Sequence, residues 1–195
     1  PTIVAENRCI AILPSAPEID AYKLLRAKVL TRLKEKGWNT IMITSALPGE
    51  GKSITSINLS LTFAREFDQT VMLVDCDFRQ QQIFRYLNIK SDKGLVDYLL
   101  KGTPISELII WPNVEKFTFI SGGKTIEDSS ELLGSPKMKE LFADMKNRYP
   151  DRYIFFDAPP LLCISDALTF ASLVDCIIVV VQSGKTSIND VKRAL

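Results

Sequence analysis

Five short apolar runs, Thr40 to Thr44, Val71 to Val74, Phe117 to Ile120, Tyr153 to Phe156 and Cys176 to Val181, recur along the chain with helical stretches between them. Each run is rich in Ile, Val or Phe and only a few residues long, the pattern of strands buried on both faces. The stretches near 52–66, 80–87, 95–100, 137–146 and 167–172 carry helical periodicity. Alternation of this kind predicts an α/β domain with a mainly parallel β-sheet flanked by helices on both faces, because right-handed crossovers distribute the helices to either side. Ligands of such sheets sit at the carboxyl ends of the strands.

The 195 residues suit one domain. Residues 1–17 hold three prolines and little periodicity and read as an extended amino-terminal arm, leaving 18–195 as the domain. A helix is expected from Ile19 to about Lys36, where Ile19, Tyr22, Leu25, Val29 and Leu33 recur at helical spacing and face the core. The sequence stops at Leu195 inside a helical stretch that begins near Asn189, which reads as truncation of the domain at its carboxyl end.

A formal charge of +1 provides no global field for DNA or an anionic membrane, so no nucleic-acid partner is expected. No apolar run approaches the roughly 20 residues that cross a bilayer, and no basic-then-apolar leader opens the sequence; a cytoplasmic chain is expected. Cys9, Cys76, Cys163 and Cys176 are far apart and read as reduced, mostly buried thiols. Histidine is absent, which removes imidazole bases and Ser-His or Cys-His pairs from the available chemistry. Proton transfer falls to carboxylates.

The strand Thr40 to Ser45 runs into Ala46-Leu-Pro-Gly-Glu-Gly-Lys-Ser53 and then a helix, the order a phosphate loop requires. Gly49 and Gly51 let backbone N–H groups approach phosphate oxygens, and the helix start adds donors and the positive end of its dipole. Lys52 is placed to reach the β and γ phosphates, and Ser53 to enter the shell of a Mg²⁺ ion. Ala46 stands where the strict pattern has its first glycine. Val71-Met-Leu-Val-Asp75-Cys-Asp77-Phe-Arg79 ends a strand with two carboxylates on one side, and Tyr153-Ile-Phe-Phe-Asp157-Ala-Pro-Pro160 ends another with a third. Alone, each acid reads as well as a helix cap or solvated loop residue; together with the glycine loop they suit Mg²⁺-assisted phosphoryl transfer.

The blocks Pro48-Gly-Glu-Gly-Lys-Ser53, Val74-Asp-Cys-Asp-Phe-Arg79 and Phe156-Asp-Ala-Pro-Pro160 resemble the Walker A, A′ and B motifs of the bacterial tyrosine kinases that control capsule and exopolysaccharide assembly, relatives of the MinD and ParA ATPases. Gly94 to Tyr98, Ser121 to Gly123, Glu131 to Ser135 and Ser165 to Ala167 also look like that family. The resemblance implies an ATP/ADP site at Pro48, Gly49, Glu50, Gly51, Lys52, Ser53 and Ile54, Mg²⁺ at Ser53, Asp75 and Asp157, and catalysis by Lys52, Asp75, Asp77 and Asp157, with Asp77 accepting the tyrosine proton. It implies autophosphorylation between copies and docking on a membrane polysaccharide co-polymerase, as a separate chain or an upstream fusion. It places Asp20, Lys23 and Arg26 where the family joins protomers into a ring.

Leu47 stands in place of the signature lysine of the MinD branch, which favours the kinase branch. Asp20 and Lys23 are conservative departures from the ring segment, and an ammonium cannot grip a carboxylate bidentately as a guanidinium can. An exposed charged helix face is the alternative. Tyr22, Tyr86, Tyr98, Tyr149 and Tyr153 are scattered, with no terminal cluster. A nucleotide switch without kinase activity and a cell-positioning ATPase are the competing functions.

Overall fold

The computed structural model describes Cys9, Ala11 and residues 18–126, 129–163 and 166–195. Its strands are β1 (Thr40–Ser45), β2 (Thr70–Asp75), β3 (Ile109–Ile110), β4 (Phe117–Ile120), β5 (Arg152–Asp157) and β6 (Cys176–Val180). The α-helices are α1 (Ile19–Lys36), α2 (Lys52–Ala64), α3 (Ile83–Tyr86), α4 (Leu95–Lys101), α5 (Ser129–Leu133), α6 (Pro136–Arg148), α7 (Asp166–Ala171) and α8 (Ile188–Ala194). They build one six-stranded sheet in the order β3-β4-β2-β5-β1-β6, parallel except where β3 pairs antiparallel with β4. The mainly parallel α/β architecture is as expected. Among the described residues no helix is long and apolar enough to cross a membrane.

Strand alternation divides the core in two. Ile41, Ile43, Val71, Leu73 and Phe155 pack on one face with α1 and α2, while Met42, Met72, Val74, Ile154 and Phe156 pack on the other with α4, α6 and α7. Phe63 of α2 meets Phe155 edge-on with centroids 5.0 Å apart. On the opposite face Phe156 stacks on Phe142 of α6 at 5.2 Å and meets Phe170 of α7 at 4.9 Å. β5 is therefore clamped by aromatic rings from both layers. Helix α1 lays Ile19 and Leu33 into the core and ends at Gly37, whose left-handed conformation (φ 68°) lets Trp38 N–H reach the Leu33 carbonyl at 2.9 Å.

Several expectations change on the fold. The helix expected over 80–87 contracts to Ile83–Tyr86, because the Asp77 carboxylate accepts the Gln80 N–H at 2.9 Å and holds the preceding residues as a loop. The edge strand β3 and the helix α5 are additions. Of the arm at 1–17 only Cys9 and Ala11 lie within the described residues, and both are buried against α2: Ala11 N–H donates to Asn58 Oδ1 at 3.0 Å, and the Arg65 guanidinium donates to the Ala11 carbonyl. Ser165 lies outside the described residues. The four thiols form no disulfide; Cys9 and Cys76 are buried, but Cys176 is half-buried and Cys163 exposed, so "mostly buried" holds for only two.

The aromatic clamp on β5 sets a stability prediction. Phe156→Ala removes a fully buried ring and should cost about 3–5 kcal/mol in denaturant unfolding, against a change within about 0.5 kcal/mol for Trp111→Ala at a 70% exposed position. Equal costs for the two would show that the clamp does not carry this part of the core.

Candidate active site

Strand β5 comes late in the sequence yet inserts between β1 and β2, so three parallel strands end side by side. Ile43 and Asp75 are both in register with Asp157, which sets Asp75 and Asp157 on neighbouring strands facing the same way. The loops are zipped together above them: Thr44 Oγ1 donates to the Pro159 carbonyl at 2.6 Å, and Leu161 N–H reaches the Ser45 carbonyl at 2.8 Å.

From β1 the chain turns through Ala46 to Gly51 into α2. Gly49 (φ 78°) and Gly51 (φ 93°) are left-handed, a region costly to any residue with a Cβ, and no atom lies within 4 Å of where those Cβ atoms would stand. The loop is thus a turn with open space over its glycines at the start of a 13-residue helix. Pro48, Gly49 and Gly51 are exposed, Ile54 is half-buried in the first turn, and Glu50, Lys52 and Ser53 are buried.

Lys52 Nζ lies 2.8 Å from Asp77 Oδ2 and 3.4 Å from Asp157 Oδ2. Ser53 Oγ donates to Asp157 Oδ2 at 2.6 Å, and Ser56 Oγ to Asp157 Oδ1 at 3.0 Å. Asp77 N–H donates to Asp75 Oδ1 at 3.1 Å, whereas Asp75 Oδ2 is buried without a hydrogen-bond partner. All the expected catalytic residues, Lys52, Asp75, Asp77 and Asp157, converge with Ser53. Ser56 was not singled out by motif; its signal is its position one helical turn beyond Ser53, on the same face. A cavity of about 220 Å³ beside Asp77 is lined by Pro48, Asp77, Arg79, Gln80, Pro160 and Cys163.

Three carboxylates and one ammonium leave an excess of negative charge in a water-poor space. Burial pushes the Asp75 carboxyl well above the ordinary range, Asp157 adds to the shift and Lys52 opposes it. Burial likewise raises Asp157, against the pull of Lys52, Ser53 and Ser56. Burial opposes the charge of Lys52, but Asp157 and Asp77 overcome it and hold the ammonium above the usual lysine value. Among the described residues no three acidic or thiol groups form a ready-made metal cage. Mg²⁺ does not need one, since it takes one or two protein oxygens beside phosphate and water. The unpartnered Asp75 Oδ2 and the hydroxyl of Ser53 fit that chemistry.

The expected ring segment is only partly available. Lys23 and Asp20 pair with each other at 2.8 Å on the exposed face of α1. Arg26 turns inward instead, donating to the Thr62 carbonyl at 2.9 Å and pairing with Glu66 at 2.7 Å, so its guanidinium ties α1 to the end of α2.

An acid whose folded pKa is raised above its unfolded value of 3.8 weakens the fold as it ionises, so its penalty is absent at low pH and grows as pH rises through the folded pKa. Asp75→Asn, in chelator without nucleotide, should therefore melt higher than the parent at about pH 8, with the gap closing towards about pH 4. A gap that widened on acidification would contradict the electrostatic reading.

The AAA domain family model AAA_31 matches residues 38–195. Tyrosine-protein kinase YwqD of Bacillus subtilis is 30% identical over 181 residues, covering 93% of this chain and 75% of the relative. The putative tyrosine-protein kinase CapB of Staphylococcus aureus is 26% identical, covering 93% and 78%. The chain spans only a quarter of other curated relatives, such as the tyrosine-protein kinase etk of Escherichia coli (25%). The solved kinase domain of Escherichia coli tyrosine kinase ETK superposes with a TM-score of 0.88 at 26% identity, over 95% of this chain and 72% of that one. The septum site-determining protein MinD of Pyrococcus horikoshii, solved with Mg-ADP, shares the fold at a TM-score of 0.65 and 22% identity. The chain belongs to the AAA domain family and, within it, to the bacterial tyrosine-protein kinases.

Proposed function

We propose that this domain transfers the γ-phosphoryl group of Mg-ATP to tyrosine and so regulates the assembly and export of a capsule or exopolysaccharide. The observation that carries the reading is the position of Lys52 Nζ, at the helix start that follows the glycine loop and within 3.4 Å of carboxylates that follow or close two strands. A phosphate drawn into the loop meets the N–H groups from Gly49 to Ile54 and the Lys52 ammonium. Ser53, Asp75 and Asp157 would hold Mg²⁺, which would supply neutralisation of the phosphate charge.

Asp77 borders the 220 Å³ cavity, which suits it to receive the proton of an acceptor phenol as the phenol oxygen bonds to the γ phosphorus and the bond to ADP breaks. None of the residues lining that cavity is a tyrosine. The acceptor is therefore delivered by another segment or a second copy. Docking to a membrane polysaccharide co-polymerase, as a separate chain or a fused upstream segment, brings the domain to the inner membrane from the cytoplasm.

The test is intact mass spectrometry of the full-length protein incubated with Mg-ATP and its co-expressed membrane partner. The parent should gain phosphoryl groups and Lys52→Ala should gain none. Asp77→Asn should transfer roughly 10²- to 10⁴-fold more slowly while still binding ATP, the usual worth of a positioned base. Transfer by Asp77→Asn at the parental rate would remove Asp77 as the base; a parent that binds ATP but gains no phosphate would leave a nucleotide switch.

A further inference from the structure

Glu50 lies within the phosphate loop and is 7% exposed, yet both its oxygens are engaged away from Lys52. Oε2 accepts the Leu47 N–H at 2.7 Å, which pins the start of the loop to its middle. Oε1 accepts the hydroxyl of Thr186, a residue in the turn between β6 and α8. That hydroxyl is itself fixed: it accepts the Gln182 N–H at 3.3 Å, while Lys185 N–H at 3.2 Å and Thr186 N–H at 3.1 Å both donate to the Gln182 carbonyl. Gly184 (φ 74°) closes the turn. Since Ser45 at the end of β1 is in register with Val180 at the end of β6, the connection completes a ring: β1, phosphate loop, Glu50, Thr186, turn, β6 and back to β1.

A loop carrying two left-handed glycines has much conformational freedom to lose when it wraps a phosphate. Among the described residues no cation pairs with Glu50, so its buried carboxylate is held by these two donors alone. We infer that the side chains of Glu50 and Thr186 form a strut that orders the phosphate loop before nucleotide arrives, positioning the loop's backbone donors without touching phosphate themselves. The role gives the Glu50 side chain a positioning part beside the expected place of this residue in the nucleotide site, and it rests on the reading of this loop as the ATP site. An ordered loop gives up less entropy on binding, so the strut should appear as affinity and leave the chemical step nearly untouched.

The test uses the full-length protein, a fluorescent ADP analogue for dissociation constants, steady-state phosphoryl transfer for kcat and KM, and circular dichroism to confirm folding. Thr186→Val and Glu50→Ala should each weaken ADP binding roughly tenfold, as expected for loss of a hydrogen bond to a buried carboxylate, and Thr186→Val should keep kcat at saturating ATP within about twofold of the parent. The double variant should bind within about twofold of the weaker single variant, because both substitutions break one unit. Thr186→Ser and Glu50→Gln should restore most of the affinity. Parental affinity in Thr186→Val, multiplying losses in the double variant, or a fall in kcat with KM unchanged would each overturn the strut. If Glu50→Ala does not fold, the Thr186→Val and Thr186→Ser pair decides. A parent that binds no ADP refutes the nucleotide site and the strut with it; a parent that binds beside a Thr186→Val that binds equally refutes the strut alone.

Discussion

One ammonium group, that of Lys52, stands among three strand-end carboxylates, and the arrangement of the carboxyl edge of the sheet follows from that imbalance. Asp77 at 2.8 Å and Asp157 at 3.4 Å hold the lysine, but Asp75 Oδ2 is left buried and unpartnered. Such a site costs stability while empty and relaxes when a cation and a phosphate enter together. On the proposed reading the lysine would then exchange carboxylate for phosphate, and the acids would exchange the lysine for a metal. An anion alone would only add to the negative excess, so the charge set favours a phosphate that arrives with its cation.

The scaffold around this site is correspondingly rigid. Phe63 on one face and Phe142 and Phe170 on the other lock β5. The loops after β1 and β5 are bonded through Thr44 and Leu161. In-register pairing then fixes Asp157 beside Asp75 without help from either side chain. Two mutually repelling carboxylates stay close because the backbone ladders leave them nowhere else to go.

Much of this is readable in the sequence, for reasons that differ by element. Strands β1, β2, β4, β5 and β6 are marked by branched and aromatic runs, and the glycine loop by residues whose backbone freedom the turn needs. Lys52 and Ser53 open a helix, Asp75 and Asp157 close strands and Asp77 follows two residues after one, so topology brings them together. Strand β3, two residues long, carries no period. The helix expected over 80–87 starts late, at Ile83, because Asp77 captures the Gln80 N–H, a side-chain bond that competes with the helix and leaves no mark on the periodicity. Arg26 looks like a surface charge in its helix, and only the packing of α1 on α2 turns it inward to Glu66. Glu50 is the sharpest case: its motif position points at phosphate, whereas Thr186, far along the chain, decides where its carboxylate goes.

The insertion of β5 between β1 and β2 has a consequence for how the molecule is made. β1 and β2, which carry the phosphate loop and the first two acids, never touch each other; the strand that joins them is synthesised long after both. Until it arrives, the emerging chain can hold neither the register of Asp75 nor the orientation of Lys52, and it must close a long loop to gain them. The assembled cluster of Lys52 and its acids is therefore a late property of the growing polypeptide. A ribosome-bound fragment ending before Arg152 lacks both Asp157 and the strand that sets Asp75 in register beside the glycine loop.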